Sequence, residues 1–311
     1  MNLKRENLGH PYPDCIFNYS KGFIRFNYDR DMDMVYITPC CNAKPKKFIK
    51  PIAWKSEYFI SNFERCLEDY HSANLQDLND WYFGTCLKAN RLESSISGLC
   101  TGYTWNKSTT IIENSISRTC NLNCIMCNLG SKYNSKEMKI SNFVYNKISK
   151  MNLDTLLTTT AGEPFIDKEG IFNLLERSKQ IRCIYITTNG SLLNEDDIIR
   201  LSKYYNLKIT VSLDSINKET YEKIRLGSNF DTVFNNVLFL KKYGILDHIN
   251  YVLQLANINE CFNVNDFFQS YDIKVDYLLD NSEIKNKELQ NKLNVLKGGD
   301  SYLYKYNANR F

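Results

Sequence analysis

The chain lacks the features that would place it in a membrane or outside the cell. No apolar run approaches the roughly 20 residues that a membrane-spanning helix needs. The first seven residues, Met1-Asn-Leu-Lys-Arg-Glu-Asn7, contain no apolar segment of a secretory signal. A net charge of +4 over 311 residues is too small to indicate a nucleic-acid surface. We therefore expect a cytoplasmic protein that binds neither membranes nor nucleic acid.

Histidine is also scarce, whereas cysteine is abundant. The three histidines, His10, His71 and His248, have no spacing that suits a metal site, and the chain contains 11 cysteines. Disulfides are disfavoured in the cytoplasm, and an odd cysteine count fits a pairing scheme poorly. Metal binding or redox chemistry is therefore the leading explanation for the cysteines.

The character of the sequence changes near residue 105. Residues 1–105 are irregular and rich in aromatic residues and cysteine, and we assign them to a smaller N-terminal domain. Residues 106–311 alternate short apolar strands with amphipathic helices, the pattern that predicts a parallel α/β sheet. The predicted strands cover 110–117, 154–160, 183–188, 207–214, 249–257 and 274–280. The predicted helices cover 140–151, 169–180, 195–206, 229–243, 263–271 and 282–296.

The number and polarity of these strands predict the architecture. Six strand–helix units are fewer than the eight that close a TIM barrel. In the fourth strand, period-two alternation puts Thr210, Ser212 and Asp214 on one face, whereas a closed barrel fills its interior with Val, Ile and Leu. We therefore predict an α/β fold, a partial (β/α)6 TIM-type barrel that is open on one side and has a polar interior.

A cysteine motif follows the first predicted strand of this barrel. Cys120, Cys124 and Cys127 have C-x3-C-x2-C spacing, which lets a tight loop direct three thiolates at one metal centre. Thiolates select iron–sulfur clusters or zinc over hard cations. A structural zinc site would normally need a fourth nearby Cys or His, and none follows in this loop. The motif therefore indicates a metal centre with one open coordination position.

Three further polar motifs follow the next three strands. They are Ala161-Gly-Glu-Pro164, Thr187-Thr-Asn-Gly190 and Ser212-Leu-Asp-Ser215. Ligands of parallel α/β folds bind beyond the carboxyl ends of the strands. Each motif alone would indicate only a turn, but their common position at one rim indicates a shared site.

These four motifs, in this order, resemble those of the radical S-adenosylmethionine (radical SAM) superfamily over roughly residues 109–281. The resemblance implies that Cys120, Cys124 and Cys127 each ligate one iron of a 4Fe–4S cluster, whose fourth iron is chelated by S-adenosylmethionine. It implies that an electron from the reduced cluster cleaves the sulfonium to methionine and a 5′-deoxyadenosyl radical, which abstracts a substrate hydrogen. A reductant such as flavodoxin or ferredoxin would supply that electron.

The resemblance also assigns the contacts to S-adenosylmethionine. Gly162, Glu163 and Pro164 resemble the GGEP-type motif that binds the methionine amino group, with Ala161 in place of the first glycine. Four side chains at the ends of the third and fourth strands would hold the ribose hydroxyls: Thr188, Asn189, Ser212 and Asp214. Arg225 would meet the methionine carboxylate.

Some positions depart from the family pattern or have a simpler explanation. Met126 stands where the family usually has an aromatic residue. Asp214 could instead cap the following helix, and Arg225 could be a helix-surface residue. No residue is assigned to hydrogen-atom transfer.

The N-terminal cysteines resemble, more loosely, the SPASM or twitch-type auxiliary cluster modules of the same superfamily, although those modules usually follow the core. One set of four would hold a second 4Fe–4S cluster or zinc: Cys15, Cys40 or Cys41, Cys86 and Cys100. The alternative is that they are scattered core cysteines.

By analogy with SPASM-type relatives, we expect a radical SAM enzyme that acts on a peptide or protein. A sugar, nucleotide or other small metabolite is the alternative substrate. A non-catalytic iron–sulfur or zinc protein is the alternative of another class.

Overall fold

The computed structural model describes residues 23–38, 44–45, 52–72, 81–82, 111–127, 133–158, 162–279 and 291. The chain divides into two compact units, Met1–Ile112 with Ala308–Phe311, and Glu113–Asn307. The predicted domain boundary near residue 105 stays a prediction. No helix in the described ranges is both long enough and apolar enough to span a membrane.

The described part of the N-terminal unit is more regular than its composition suggests. Its strands are β1 Phe23–Asp29, β2 Met34–Thr38, β3 Lys44–Pro45, β4 Ala53–Lys55 and β5 Trp81–Tyr82, and its helices are α1 Ser56–Ser61 and α2 Phe63–Ser72. β1, β2 and β4 form an antiparallel sheet, and β3 pairs with β5. Phe26, Phe59 and Phe63 form an aromatic core with ring centroids 5.3 to 6.0 Å apart. Burial of these rings stabilises the small sheet against its helices.

The second unit contains the predicted α/β sheet. Its strands are β6 Ile111–Ser115, whose first two residues belong to the N-terminal unit, β7 Thr155–Thr158, β8 Cys183–Thr188, β9 Leu207–Ser212, β10 Leu246–Leu253 and β11 Val275–Leu279. They are arranged in chain order, and the four pairings from β7 to β11 are parallel. Within the described residues β11 has β10 as its one neighbour. The six predicted strands and the open, partial TIM-type barrel are therefore confirmed.

Helices connect these strands as the sequence pattern predicts. They are α3 Ser135–Ile148, α4 Lys168–Arg177, α5 Glu195–Leu201, α6 Lys218–Ile224, α7 Phe230–Lys242 and α8 Cys261–Gln269. Short 3-10 turns cover Pro164–Asp167 and Ile258–Glu260. The predicted helix 282–296 lies outside the described residues except for residue 291.

Three helices differ from the prediction, and one of them, α5, ends at Leu201, five residues before its predicted end. α3 begins five residues earlier than predicted, because the side chain of Asn134 caps it by accepting from the amide of Glu137 at 3.1 Å. Helix α6 is not among the predicted helices, because its seven residues are too few to show a helical period. α7 agrees well: Asn229 caps its start, and Gly244 follows its end with a φ of +73°.

Candidate functional site

The loop that carries Cys120, Cys124 and Cys127 is fixed to the end of helix α6. The amide of Asn123 donates to the carbonyl of Leu226, and the amide of Ile125 donates to the carbonyl of Ile224, both at 3.0 Å. The three cysteines are free, with Cys120 and Cys124 half-buried and Cys127 exposed. The protein itself therefore holds the predicted metal-binding loop in place.

Hydrogen-bond donors lie beside two of the sulfur atoms. Cys120 Sγ accepts from the amide of Leu122 at 3.4 Å and lies 3.9 Å from Asn189 Nδ2. Arg225 Nη1 lies 3.9 Å from Cys124 Sγ. Burial raises the pKa of the Cys120 and Cys124 thiols, whereas the nearby guanidinium of Arg225 opposes that rise. Donors of this kind stabilise thiolates bound to a metal centre.

The spacing of the three sulfurs bears on which metal group they suit. Among the residues that the structure describes, no three His, Cys, Asp or Glu side chains are grouped to hold a single ion. A tetrahedral zinc ion, with zinc–sulfur bonds of about 2.3 Å, would hold its sulfurs within about 4 Å of one another. A 4Fe–4S cluster attaches each thiolate to a different iron, so it does not require such close sulfurs. Three cysteines on one short loop can each ligate a different iron of such a cluster.

Gly162 packs directly against the segment that leads into this loop. Its φ is +78°, and a Cβ atom there would lie 2.6 Å from the carbonyl oxygen of Thr119 and 2.8 Å from that of Ser117. The next residue, Glu163, donates its amide to the same Thr119 oxygen at 2.7 Å. Only glycine allows this close approach, which joins the Gly-Glu-Pro motif to the cysteine loop.

The Glu163 carboxylate is buried, with 4% of the residue exposed. Its Oε1 accepts from the Phe165 amide at 3.0 Å and from Thr188 Oγ1 at 2.8 Å, and its Oε2 accepts from the Asn189 amide at 2.7 Å. Burial raises the pKa of Glu163 although these hydrogen bonds favour the ionised form. Glu163 also caps the turn that Pro164 begins. The carboxylate thus connects the ends of β7 and β8.

Asn189 connects the end of β8 to the cysteine loop. Its Nδ2 donates to Asn121 Oδ1 at 3.0 Å, and its Oδ1 accepts from the amide and the hydroxyl of Ser191 at 2.9 and 2.7 Å. Asn121 Nδ2 donates in turn to Ser191 Oγ at 2.9 Å. Asn121 and Ser191 are not among the predicted site residues. The position of Asn121 between two cysteine ligands was the one available signal.

Asp214 and Arg225 form a buried ion pair. Arg225 Nε donates to Asp214 Oδ2 at 2.7 Å, and the Val252 amide donates to Asp214 Oδ1 at 2.8 Å. Burial acts to lower the pKa of Arg225, but the Asp214 carboxylate raises it further, so the guanidinium stays charged. The suggestions that Asp214 caps a helix and that Arg225 is a surface residue are therefore wrong. Asn217 caps α6 instead.

The structure brings most of the predicted site residues together at one rim. Contacts or hydrogen bonds link seven of them: Cys120, Cys124, Glu163, Thr188, Asn189, Asp214 and Arg225. Ser212 ends β9 with a half-buried side chain. The proposed auxiliary ligands Cys15, Cys40, Cys41, Cys86 and Cys100 lie outside the described residues, so the SPASM-like module stays a prediction.

Sequence relatives match about half of the chain. An uncharacterized protein of Methanocaldococcus jannaschii, MJ0804, is 28% identical over 179 residues, which cover 57% of this chain and 59% of that protein. A "Probable GTP 3′,8-cyclase" of Methanococcus maripaludis is 28% identical over 159 residues, which cover 49% of this chain and 53% of that protein. The chain thus spans little more than half the length of these curated relatives.

The fold and the family also match. The crystal structure of Streptococcus suis SuiB bound to the precursor peptide SuiA has a TM-score of 0.50 and 17% identity, covering 81% of this chain and 60% of that one. The family model of the radical SAM superfamily matches residues 114–260, which include the cysteine loop and the rim motifs. The predicted cofactors of this superfamily, a 4Fe–4S cluster and S-adenosylmethionine, are thereby confirmed for the domain. Residues 114–260 are therefore a radical SAM domain.

Proposed function

We propose that this chain binds a 4Fe–4S cluster through Cys120, Cys124 and Cys127 and uses it to activate S-adenosylmethionine. When bound, the two cofactors supply a 5′-deoxyadenosyl radical that abstracts a hydrogen atom from a substrate. The observation that carries the proposal is the joining of the cysteine loop to the Gly-Glu-Pro and Asn189 segments by short hydrogen bonds. The match to the radical SAM family model favours this enzyme over a non-catalytic iron–sulfur or zinc protein.

The residues of the rim suit the separate groups of S-adenosylmethionine. Glu163 would accept a hydrogen bond from the methionine ammonium, with Gly162 and Pro164 shaping the backbone around it. Arg225 would meet the methionine carboxylate while its Nε stays on Asp214. Four side chains would surround the ribose: Thr188, Asn189, Ser212 and Asp214. Asp214 would also orient Arg225, since its Oδ2 accepts from Arg225 Nε.

For the substrate, we propose a peptide or protein. A fold neighbour of this chain, SuiB, is described in complex with a precursor peptide, which supports the idea that such a barrel can admit a peptide. A nucleotide is the second candidate, because several relatives are named as probable GTP 3′,8-cyclases. We also propose flavodoxin or ferredoxin as the reductant, and a second cluster or zinc at the N-terminal cysteines.

Anaerobic reconstitution tests the cofactor proposal. About four irons per chain would indicate one cluster and about eight would indicate two, whereas zinc alone would contradict the proposal. Wild-type protein with a reductant should release 5′-deoxyadenosine from S-adenosylmethionine. Cys124→Ala should abolish that release, and Cys183→Ala, which alters a half-buried cysteine at the start of β8, is the matched control. Release that survives Cys124→Ala would show that the ligand assignment is wrong.

A further inference from the structure

Strands β9 and β10 have one apolar face and one polar face. Ile209, Val211 and Ile249 are fully buried. A Cβ atom on Gly190 would lie 3.1 Å from Val211 Cγ1 and 3.2 Å from Val233 Cγ1, so the Val211 face is the one that α7 covers. Alternation puts His248, Asn250 and Val252, all half-buried, on the opposite face. That polar face is the interior of the open barrel.

His248 is held at both ring nitrogens on the polar face. Its Nδ1 lies 2.8 Å from Asp247 Oδ2, and its Nε2 lies 3.0 Å from Asn250 Oδ1. Asp247 Oδ2 and Asn250 Oδ1 are both acceptors, so His248 can donate to both of them only as the protonated imidazolium. The neutral amide of Asn250 is the weaker of the two partners. A carboxylate from a bound molecule could therefore replace it at Nε2.

The charged residues around His248 have mixed signs. Lys208 on β9, Lys274 before β11 and Asp276 on β11 share the alternation phase of this face and interact electrostatically with the Asp247–His248 pair. When His248 is protonated, this group contains three cations (Lys208, Lys274 and His248) and two carboxylates (Asp247 and Asp276), so its net charge is +1. A single acidic group complements this balance. A triphosphate, with its several negative charges, would meet the two carboxylates as well.

The side chain of Gln254, the residue that follows the C-terminal end of β10, is a buried hydrogen-bond donor. The residue is 1% exposed, and its side-chain Nε2 makes no hydrogen bond within the part of the chain that the structure describes. The backbone amide of Gln254 donates to Asn257 Oδ1 at 2.9 Å, and Asn257 Nδ2 donates to the Asp214 carbonyl at 2.7 Å. These bonds fix the backbone of Gln254 beside the proposed cofactor rim. An unmet buried donor is destabilising, which favours an acceptor atom supplied by a ligand.

We propose that this polar face binds a peptide segment that carries one acidic residue, with Gln254 donating to a peptide carbonyl and His248 pairing with the acidic side chain. The inference rests on the proposed function and specifies its substrate class. His248 and Gln254 are six residues apart, which corresponds to about 20 Å along an extended chain. An extended peptide of about six residues spans that length.

Peptide binding to the reconstituted full chain with S-adenosylmethionine tests the inference. The probes are a fluorescein-labelled hexapeptide with one Glu among Ala and Gly residues, its Gln counterpart, and GTP as a competitor. We expect the Glu peptide to bind about tenfold more tightly than the Gln peptide, since hydrogen bonds to charged groups are the stronger ones. His248→Gln should remove that difference. Gln254→Leu, which keeps the side-chain bulk, should weaken both peptides by about fivefold.

The control is His71→Gln, which alters a histidine of helix α2 and should change neither peptide affinity. Equal affinity for the two peptides, no binding of either, or displacement by GTP at lower concentration than by unlabelled peptide would overturn the inference. Release of 5′-deoxyadenosine by the wild-type protein without peptide is measured in parallel. If the wild-type protein releases no 5′-deoxyadenosine, the proposed function is contradicted. If it releases 5′-deoxyadenosine but binds neither peptide, only this inference is contradicted.

Discussion

Replacement of Gly162 by alanine should be the most informative single change near the cysteine loop. The residue has a φ of +78°, which costs an alanine about 1–2 kcal/mol. The added Cβ would also lie 2.6 and 2.8 Å from two backbone oxygens, those of Thr119 and Ser117, so the backbone must move. Overpacking of this kind adds about 1–3 kcal/mol. We therefore expect a loss of about 2–5 kcal/mol in the free energy of unfolding.

Gly244→Ala is the matched control for this substitution. Gly244 has a similar φ of +73°, but a Cβ atom there would have nothing within 4 Å. This variant should lose only the conformational part, about 1–2 kcal/mol. Urea unfolding of both metal-free variants measures the two losses, and iron per chain after reconstitution should fall only for Gly162→Ala. Equal destabilisation of the two variants, with equal iron contents, would refute the close packing of Gly162 on the loop.

Three further changes test other parts of the site. Arg225→Gln should destabilise the protein by about 3–5 kcal/mol, because it leaves the Asp214 carboxylate buried without its partner. Adding Asp214→Asn should recover part of this loss in urea unfolding, and no recovery would contradict the pairing. Asn189→Ala should cost about 1–2 kcal/mol and lower the iron content, since it disconnects β8 from the cysteine loop; an unchanged iron content would argue against that role. Burial lowers the pKa of His248 but its hydrogen bond to Asp247 raises it, with a net rise above the ordinary 6.5. The stabilisation from His248 is therefore complete below pH 6.5 and is lost as the pH rises through the pKa of the folded state. The urea midpoint of the wild type, relative to that of His248→Gln, should fall over that pH range. Parallel pH profiles of the two proteins would contradict this expectation.

The sequence predicted the strands of the barrel better than its short helices. Apolar alternation and flanking turns located all six strands, although β10 begins three residues before the predicted start. A seven-residue helix such as α6 leaves too few positions for a period to be recognised. Its cap, Asn217, is one of many Asn residues in the chain, and only the fold distinguishes it from the others.

The sequence located the motifs of the site but not the contacts between them. The cysteine motif and the positions of the other motifs at the strand ends could be predicted, because both depend only on the local order of residues along the chain. The pairing of Asp214 with Arg225 depends on how α6 returns to the end of β9, which no local pattern encodes. The sequence also could not predict that the side-chain Nε2 of Gln254 has no partner among the described residues, because this depends on where the surrounding residues lie in the fold.

The contacts of the cysteine loop bear on whether the metal organises the site or the fold does. In small zinc domains the metal supplies the folding energy, because nothing else holds the ligands together. Here the loop is held to α6 through the amides of Asn123 and Ile125, and to β8 through Asn121 and Asn189. These bonds involve no cysteine sulfur. The fold therefore positions the loop before any cluster binds, and loss of the cluster should remove activity without unfolding the barrel.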